Sequence, residues 1–165
     1  MPSRYLLLPI ALAFCVAGHG FSQETAAKGD PRFLHQLDRM GLKYSITRMG
    51  NLSLNYSLDG GRSQVVYISG STEKLEDMEV MEVWSRAGTF NEAPTSEVMK
   101  DLLLESGEKP IGSWNLERAS DGGYTVYFST RVPVYIGDAD LASILQSAAA
   151  TADQKEADLF NADDE

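Results

Sequence analysis

Apolar and polar positions alternate most regularly between residues 112 and 134. Gly112, Trp114 and Leu116 fall on one side and Ser113, Asn115 and Glu117 on the other, the period of two that a strand with one buried face requires. Tyr124, Val126 and Phe128 repeat the pattern after Ser120, Asp121, Gly122 and Gly123, whose glycines suit a tight reversal. This stretch predicts a β-hairpin with an aromatic inner face.

Upstream, Asp30 and Pro31 open a helix: the carboxylate can accept from free backbone donors of the first turn, and proline at the first helical position loses no bond. Phe33, Leu34, Leu37 and Met40 share a face, and Gly41 terminates it. Strands follow. Tyr44 and Ile46 alternate with polar neighbours, Gly50 and Asn51 make a turn, and Leu52, Leu54, Tyr56 and Leu58 alternate with Ser53, Asn55 and Ser57. Asp59, Gly60 and Gly61 turn the chain into Gln64 to Ser69, whose Val65, Val66, Tyr67 and Ile68 are apolar on both sides and predict a central strand. Leu75 to Ala87 reads as a further strand, since Val80, Val83 and Trp84 favour extended backbone, with Gly88 closing it.

Pro94 and Thr95 open a second helix carrying Val98, Met99, Leu102 and Leu103 at helical spacing, with Gly107 after its end. Past the hairpin, Pro133 marks the departure from the sheet, and Asp138 or Asp140 is expected to cap a last helix with a stripe of Leu141, Ile144, Leu145 and Ala148 that runs on to Leu159. The expected fold is α+β, an antiparallel sheet covered by helices in the order α-β-β-β(-β)-α-β-β-α.

The N-terminus changes the setting. Arg4 precedes an apolar run from Leu6 to Ala17, too short to span a bilayer comfortably, and Gly20 and Ser22 occupy the −3 and −1 positions of a cleavage site before Gln23. Residues 1–22 are therefore read as a signal peptide, 23–29 as a linker, 30–160 as the domain and 161–165 as an acidic disordered tail. The protein is expected to be exported, periplasmic or extracellular, with no stable membrane anchor after cleavage. Cys15 follows Phe14 rather than a small residue, against lipid attachment there, and it lies in the segment to be removed, which leaves no thiol chemistry. Loss of Arg4 takes the formal charge from −10 to −11. An acidic excess of that size repels nucleic acid, so no nucleic-acid partner is expected.

Four stretches together resemble the YbjN-like family, which shares the α-β-β-β-α-β-β-α fold of type III secretion chaperones. They are LDRMGLKYSI, where a helix ends in glycine and runs into a strand; DLLLESGEKPIGSW, a helix leading to a Gly-X-Trp strand; YTVYFSTRVPV, with its Val-Pro-Val exit; and the last helix with Ala152, Asp153 and Asp158. The resemblance covers about Arg32 to Leu159. It implies a protein-binding or chaperone-like role and brings no catalytic residues with it.

Candidate chemistry is sparse. After signal removal His35 is the one histidine left, and with no cysteine a zinc or copper site would need carboxylates alone around it. Asp138 and Asp140, or Asp163, Asp164 and Glu165, supply oxygens without the spacing of a calcium loop. No serine elbow and no glycine-rich phosphate loop is present, and no cofactor is expected. Asn51-Leu-Ser53 and Asn55-Tyr-Ser57 match the glycosylation sequon, but strand alternation already accounts for their serines. Glu79 with Glu82, or Glu105 with Glu108, offers a carboxylate pair for an alternative reading as a small exported hydrolase.

The aromatic residues point elsewhere. Tyr127 faces opposite to Tyr124, Val126 and Phe128, and with Tyr67 it would form a peptide-binding or dimerisation surface if that face of the sheet is open. Leu145 and Ala149 on the last helix are the other interface candidates, because alanines allow close approach of a partner. The leading expectation is an exported, non-enzymatic domain that binds a protein or peptide, or pairs with a second copy of itself.

Overall fold

A computed structural model of the chain describes residues 29–160. The predicted signal peptide, most of the linker and the acidic tail lie outside the described residues. The elements run α1 (Pro31–Arg39), β1 (Ser45–Ile46), β2 (Leu52–Ser57), β3 (Ser63–Ile68), β4 (Glu73–Leu75), β5 (Met78–Phe90), α2 (Ser96–Glu108), β6 (Ser113–Arg118), β7 (Tyr124–Pro133) and α3 (Asp138–Phe160). The seven strands form one antiparallel sheet in the order β1-β2-β3-β5-β7-β6, with β4 paired to β5 off that path. This is the mixed α+β architecture expected, with three helices and one strand more than expected.

The extra strand comes from the segment read as a single strand from Leu75 to Ala87. It is a hairpin of β4 and β5, reversed at Glu76, which takes a left-handed φ of 53°. Gly88 does not close β5, which runs on to Phe90. Ala87 and Gly88 together oppose Val126 in a β-bulge, and a Cβ at Gly88 would sit 2.2 Å from the Phe160 ring. Gly107 likewise lies inside α2, which continues to Glu108. Asp138 is the first residue of α3 rather than its cap, and its carboxylate accepts from Arg39 and Gln36.

Local chemistry explains the other boundaries. Asp30 accepts from Arg32 N–H at 2.9 Å and Thr95 from Val98 N–H at 3.3 Å, so both helices begin where the sequence places capping oxygens. Gly41 leaves α1 at φ 69°. In the β6–β7 turn Gly122 alone of the two glycines takes a positive φ.

One core holds the helices on the sheet. Phe33 and Leu37 of α1, Leu102 of α2, and Leu141, Leu145, Ala148 and Ala149 of α3 cluster with Leu52, Leu54, Val66, Ile68, Met81, Val83, Val126 and Phe128. The strand members of that cluster all project from the same side of the pleat, so the three helices cover one face. Two buried polar side chains of this face are satisfied within the sheet: Ser85 Oγ donates to Val65 O at 2.8 Å and Gln64 Nε2 to Arg86 O at 2.8 Å. None of the described elements covers the opposite face.

Candidate functional site

The strand register builds the uncovered face. Ser45 stands opposite Ser53, Ser53 opposite Tyr67, Tyr67 opposite Trp84, Trp84 opposite Ser129 and Ser129 opposite Ser113, a row across six strands with two aromatic rings at its centre and small hydroxyls on both flanks. The rings of Tyr67 and Trp84 stack at 5.4 Å between centroids and 17° between planes. In the next row Tyr127 lies between Arg86 and Asn115, and beyond it Thr125 faces Glu117. On the other side of the aromatic row Glu82 is opposite Arg131. Tyr67, Trp84 and Tyr127 are each half-buried, by neighbouring side chains of the sheet rather than by a helix.

These residues enclose a shallow cavity of about 350 Å³ lined by Tyr67, Glu82, Trp84, Arg86, Glu117, Thr125 and Tyr127. Its electrostatics are set by the two carboxylates. The Tyr127 hydroxyl is pushed above the usual phenol range, first by burial and then by Glu82 and Glu117, with Arg131 opposing. The floor is fixed: Asn115 Nδ2 donates to Ser129 Oγ at 3.1 Å and to Ser113 O at 3.0 Å, pinning an amide beside the rings. Stacked rings, hydroxyls, an amide and charges of both signs suit a partly apolar, hydrogen-bonding segment laid along the strands.

Tyr67 and Tyr127 thus come together on the uncovered face. Leu145 and Ala149 do not join them. Both are fully buried beneath α3, against the sheet, so the stripe of leucine and alanine is a core seam and offers a partner nothing. Sequence reasoning missed Trp84, Arg86, Glu117 and Thr125, and it raised Glu82 only as one half of a carboxylate pair. Trp84 lies on β5, which carries apolar residues on both sides, and only its register against Tyr67 shows which side it takes.

Of the carboxylates raised for hydrolysis, one of each pair, Glu79 and Glu105, is held by other partners. Glu79 and Glu82, three apart on β5, point to opposite faces. Arg32 holds Glu79 through two bonds of 2.7 Å, Thr72 Oγ1 donates to it as well, and its carboxyl is lowered to about 2. That favours a permanently ionised group over a general acid. Glu105 accepts from Trp114 Nε1 at 3.1 Å and from the buried Lys155 ammonium, while Glu108 is exposed. Among the described residues no group of three or more His, Cys, Asp or Glu side chains is placed to hold a metal ion, and His35 is exposed on α1. No described helix is long and apolar enough to cross a membrane.

No protein-family model matches the chain, and no curated protein matches it. Among solved structures, the crystal structure of YbjN from E. coli is similar over 78% of this chain and 90% of that one, with a TM-score of 0.47 and 12% identity. At that TM-score the likeness carries no argument about function.

Proposed function

We propose that the protein is an exported, non-enzymatic binding domain that takes an extended protein or peptide segment on the uncovered face of its sheet. The observation that carries this reading is the asymmetry of the sheet. All three helices lie on one face, and the other displays Tyr67, Trp84 and Tyr127 around a cavity instead of a uniformly polar surface. A sheet with one solvated face ordinarily alternates apolar inward and polar outward. Three half-buried aromatics in the middle of the outward set depart from that rule, and aromatic clusters of this kind are enriched where proteins meet. The carboxylates of Glu82 and Glu117, on opposite sides of the aromatic rows that line the cavity, favour a segment that carries basic side chains. Export rests on the sequence of residues 1–22, and it is checked by the intact mass of the protein from its own host, which should begin near Gln23.

A random peptide library displayed against the immobilised protein tests the binding reading. Selected peptides should lose at least about tenfold in affinity to Trp84→Ala and Tyr127→Ala variants. Peptides that bind both variants as well as the unaltered chain would refute it.

A further inference from the structure

β5 is the longest of the described strands, and its outward side chains stand in single file along the uncovered face. Met81, Val83 and Ser85 are buried on the helix-bearing side, so Met78, Val80, Glu82, Trp84 and Arg86 point the other way. The file begins with an apolar end at the β4–β5 hairpin. Met78 stands opposite Leu75, the two being 44% and 64% exposed, and Val80 follows between Glu73 and Pro133. An acid, an aromatic ring and a base then complete it.

Both charges of the file lack a partner. Arg131, opposite Glu82, lies 3.6 Å from Glu73 instead. Among the described residues neither Glu82 nor Arg86 has an ion-pair partner within 4 Å. Glu117 lines the same cavity as Arg86 but belongs to β6, two strands away. Side chains on one face of a strand recur every two residues, about 6.6–6.8 Å, and an extended chain laid along β5 has the same repeat. Its alternate side chains therefore meet the file one for one over about nine residues.

We infer that the face takes an extended segment whose alternate residues are apolar, apolar, basic, apolar and acidic, in the order that matches Met78, Val80, Glu82, Trp84 and Arg86. The inference rests on the reading of this face as a binding site and adds the sequence class of its ligand. Met78 and Val80, with Leu75 and Pro133 beside them, cover the first two apolar residues, and Trp84 covers the third. Glu82 and Arg86 meet charges of opposite sign. The order carries the specificity. Exchanging the two ligand charges sets like against like at both positions, and a wholly basic segment that satisfies Glu82 meets a like charge at Arg86.

Three synthetic peptides of about nine residues test this by fluorescence titration of the full chain. Two carry Leu, Leu, Lys, Phe and Glu at alternate positions with serine between, one in each chain direction, and the third scrambles the same residues. One of the ordered peptides should bind at least about tenfold more tightly than the scrambled one. Glu82→Lys should weaken that peptide by at least about tenfold, and glutamate in place of the peptide's lysine should restore binding to the variant, a rescue that misfolding would not give. Met78→Ser should weaken it by at least about threefold. Equal affinity for all three peptides, no binding of any, a Glu82→Lys loss without rescue, or an unchanged affinity in Met78→Ser would overturn the inference. The binding reading is judged apart from it. Library peptides that depend on Trp84 but ignore Glu82→Lys and Met78→Ser keep the face and remove the pattern, whereas peptides indifferent to Trp84 remove both.

Discussion

Tyr67 and Trp84 face each other across β3 and β5 with their rings nearly parallel, on the side of the sheet that no described helix covers. A stacked cross-strand pair contributes about 0.5–1.5 kcal/mol beyond the area it buries. Trp84→Ala should therefore lower stability by about 1–2 kcal/mol in urea denaturation, with an unchanged slope, and still leave a folded protein. Loss of peptide binding in a variant that melts cooperatively would separate recognition from folding.

Gly88 lies under the Phe160 ring, which also packs on Phe90 at 5.0 Å between centroids. Gly88→Ala should destabilise by about 1–3 kcal/mol through overpacking, and most of that cost should vanish in a Phe160→Ala background. A double-mutant cycle reads the coupling directly. Additive effects would mean that the ring does not rest on the bulge.

Gly112 enters β6 at φ 82°, and a Cβ there would meet Phe128 Cζ at 2.6 Å and Ser129 O at 2.8 Å. Gly112→Ala combines backbone strain with a clash against the sheet, and it should cost more than Gly88→Ala, about 2 kcal/mol or above by chemical denaturation.

Acid should weaken the fold through the ion pairs at the two ends of α1. Arg32 bonds Asp30 and Glu79, Arg39 bonds Asp138, and all three carboxyls are held below their usual range, Glu79 at about 2. Carboxyls lowered on folding stabilise the protein above the unfolded value, and that contribution is lost as pH falls through the folded one. The urea midpoint should drop between about pH 5 and pH 2, and Arg32→Met should make the drop shallower. An identical pH profile for the variant would dissociate the cluster from acid stability.

The hairpin of β6 and β7 and the starts of α1 and α2 were legible in the chain because each carries a local signal: strict alternation for the strands, Asp30-Pro31 and Thr95 for the helix starts. The β4–β5 reversal was not, because Glu76 adopts the left-handed conformation without glycine, and Asp77 alone is a weak mark of a turn. Leu145 and Ala149 misled for a different reason. A stripe of leucine and alanine has the same spacing whether it meets a partner helix or the protein's own sheet, and only the packing of α3 on β3 and β5 distinguishes the two. Tyr127 could be assigned to the outer face by counting along one strand. Trp84 could not, since its place depends on pairing between strands far apart in sequence.

The central claim is that recognition occurs on the uncovered face around Tyr67, Trp84 and Tyr127. Titration of the isotope-labelled protein with a library-selected peptide, followed by nuclear magnetic resonance, tests it most directly. The largest shift changes should fall on the side chains of Tyr67, Trp84, Arg86, Thr125 and Tyr127, with the α3 core residues Leu145 and Ala149 undisturbed. Changes concentrated on the helices, with the Trp84 indole signal unmoved at saturation, would contradict the account.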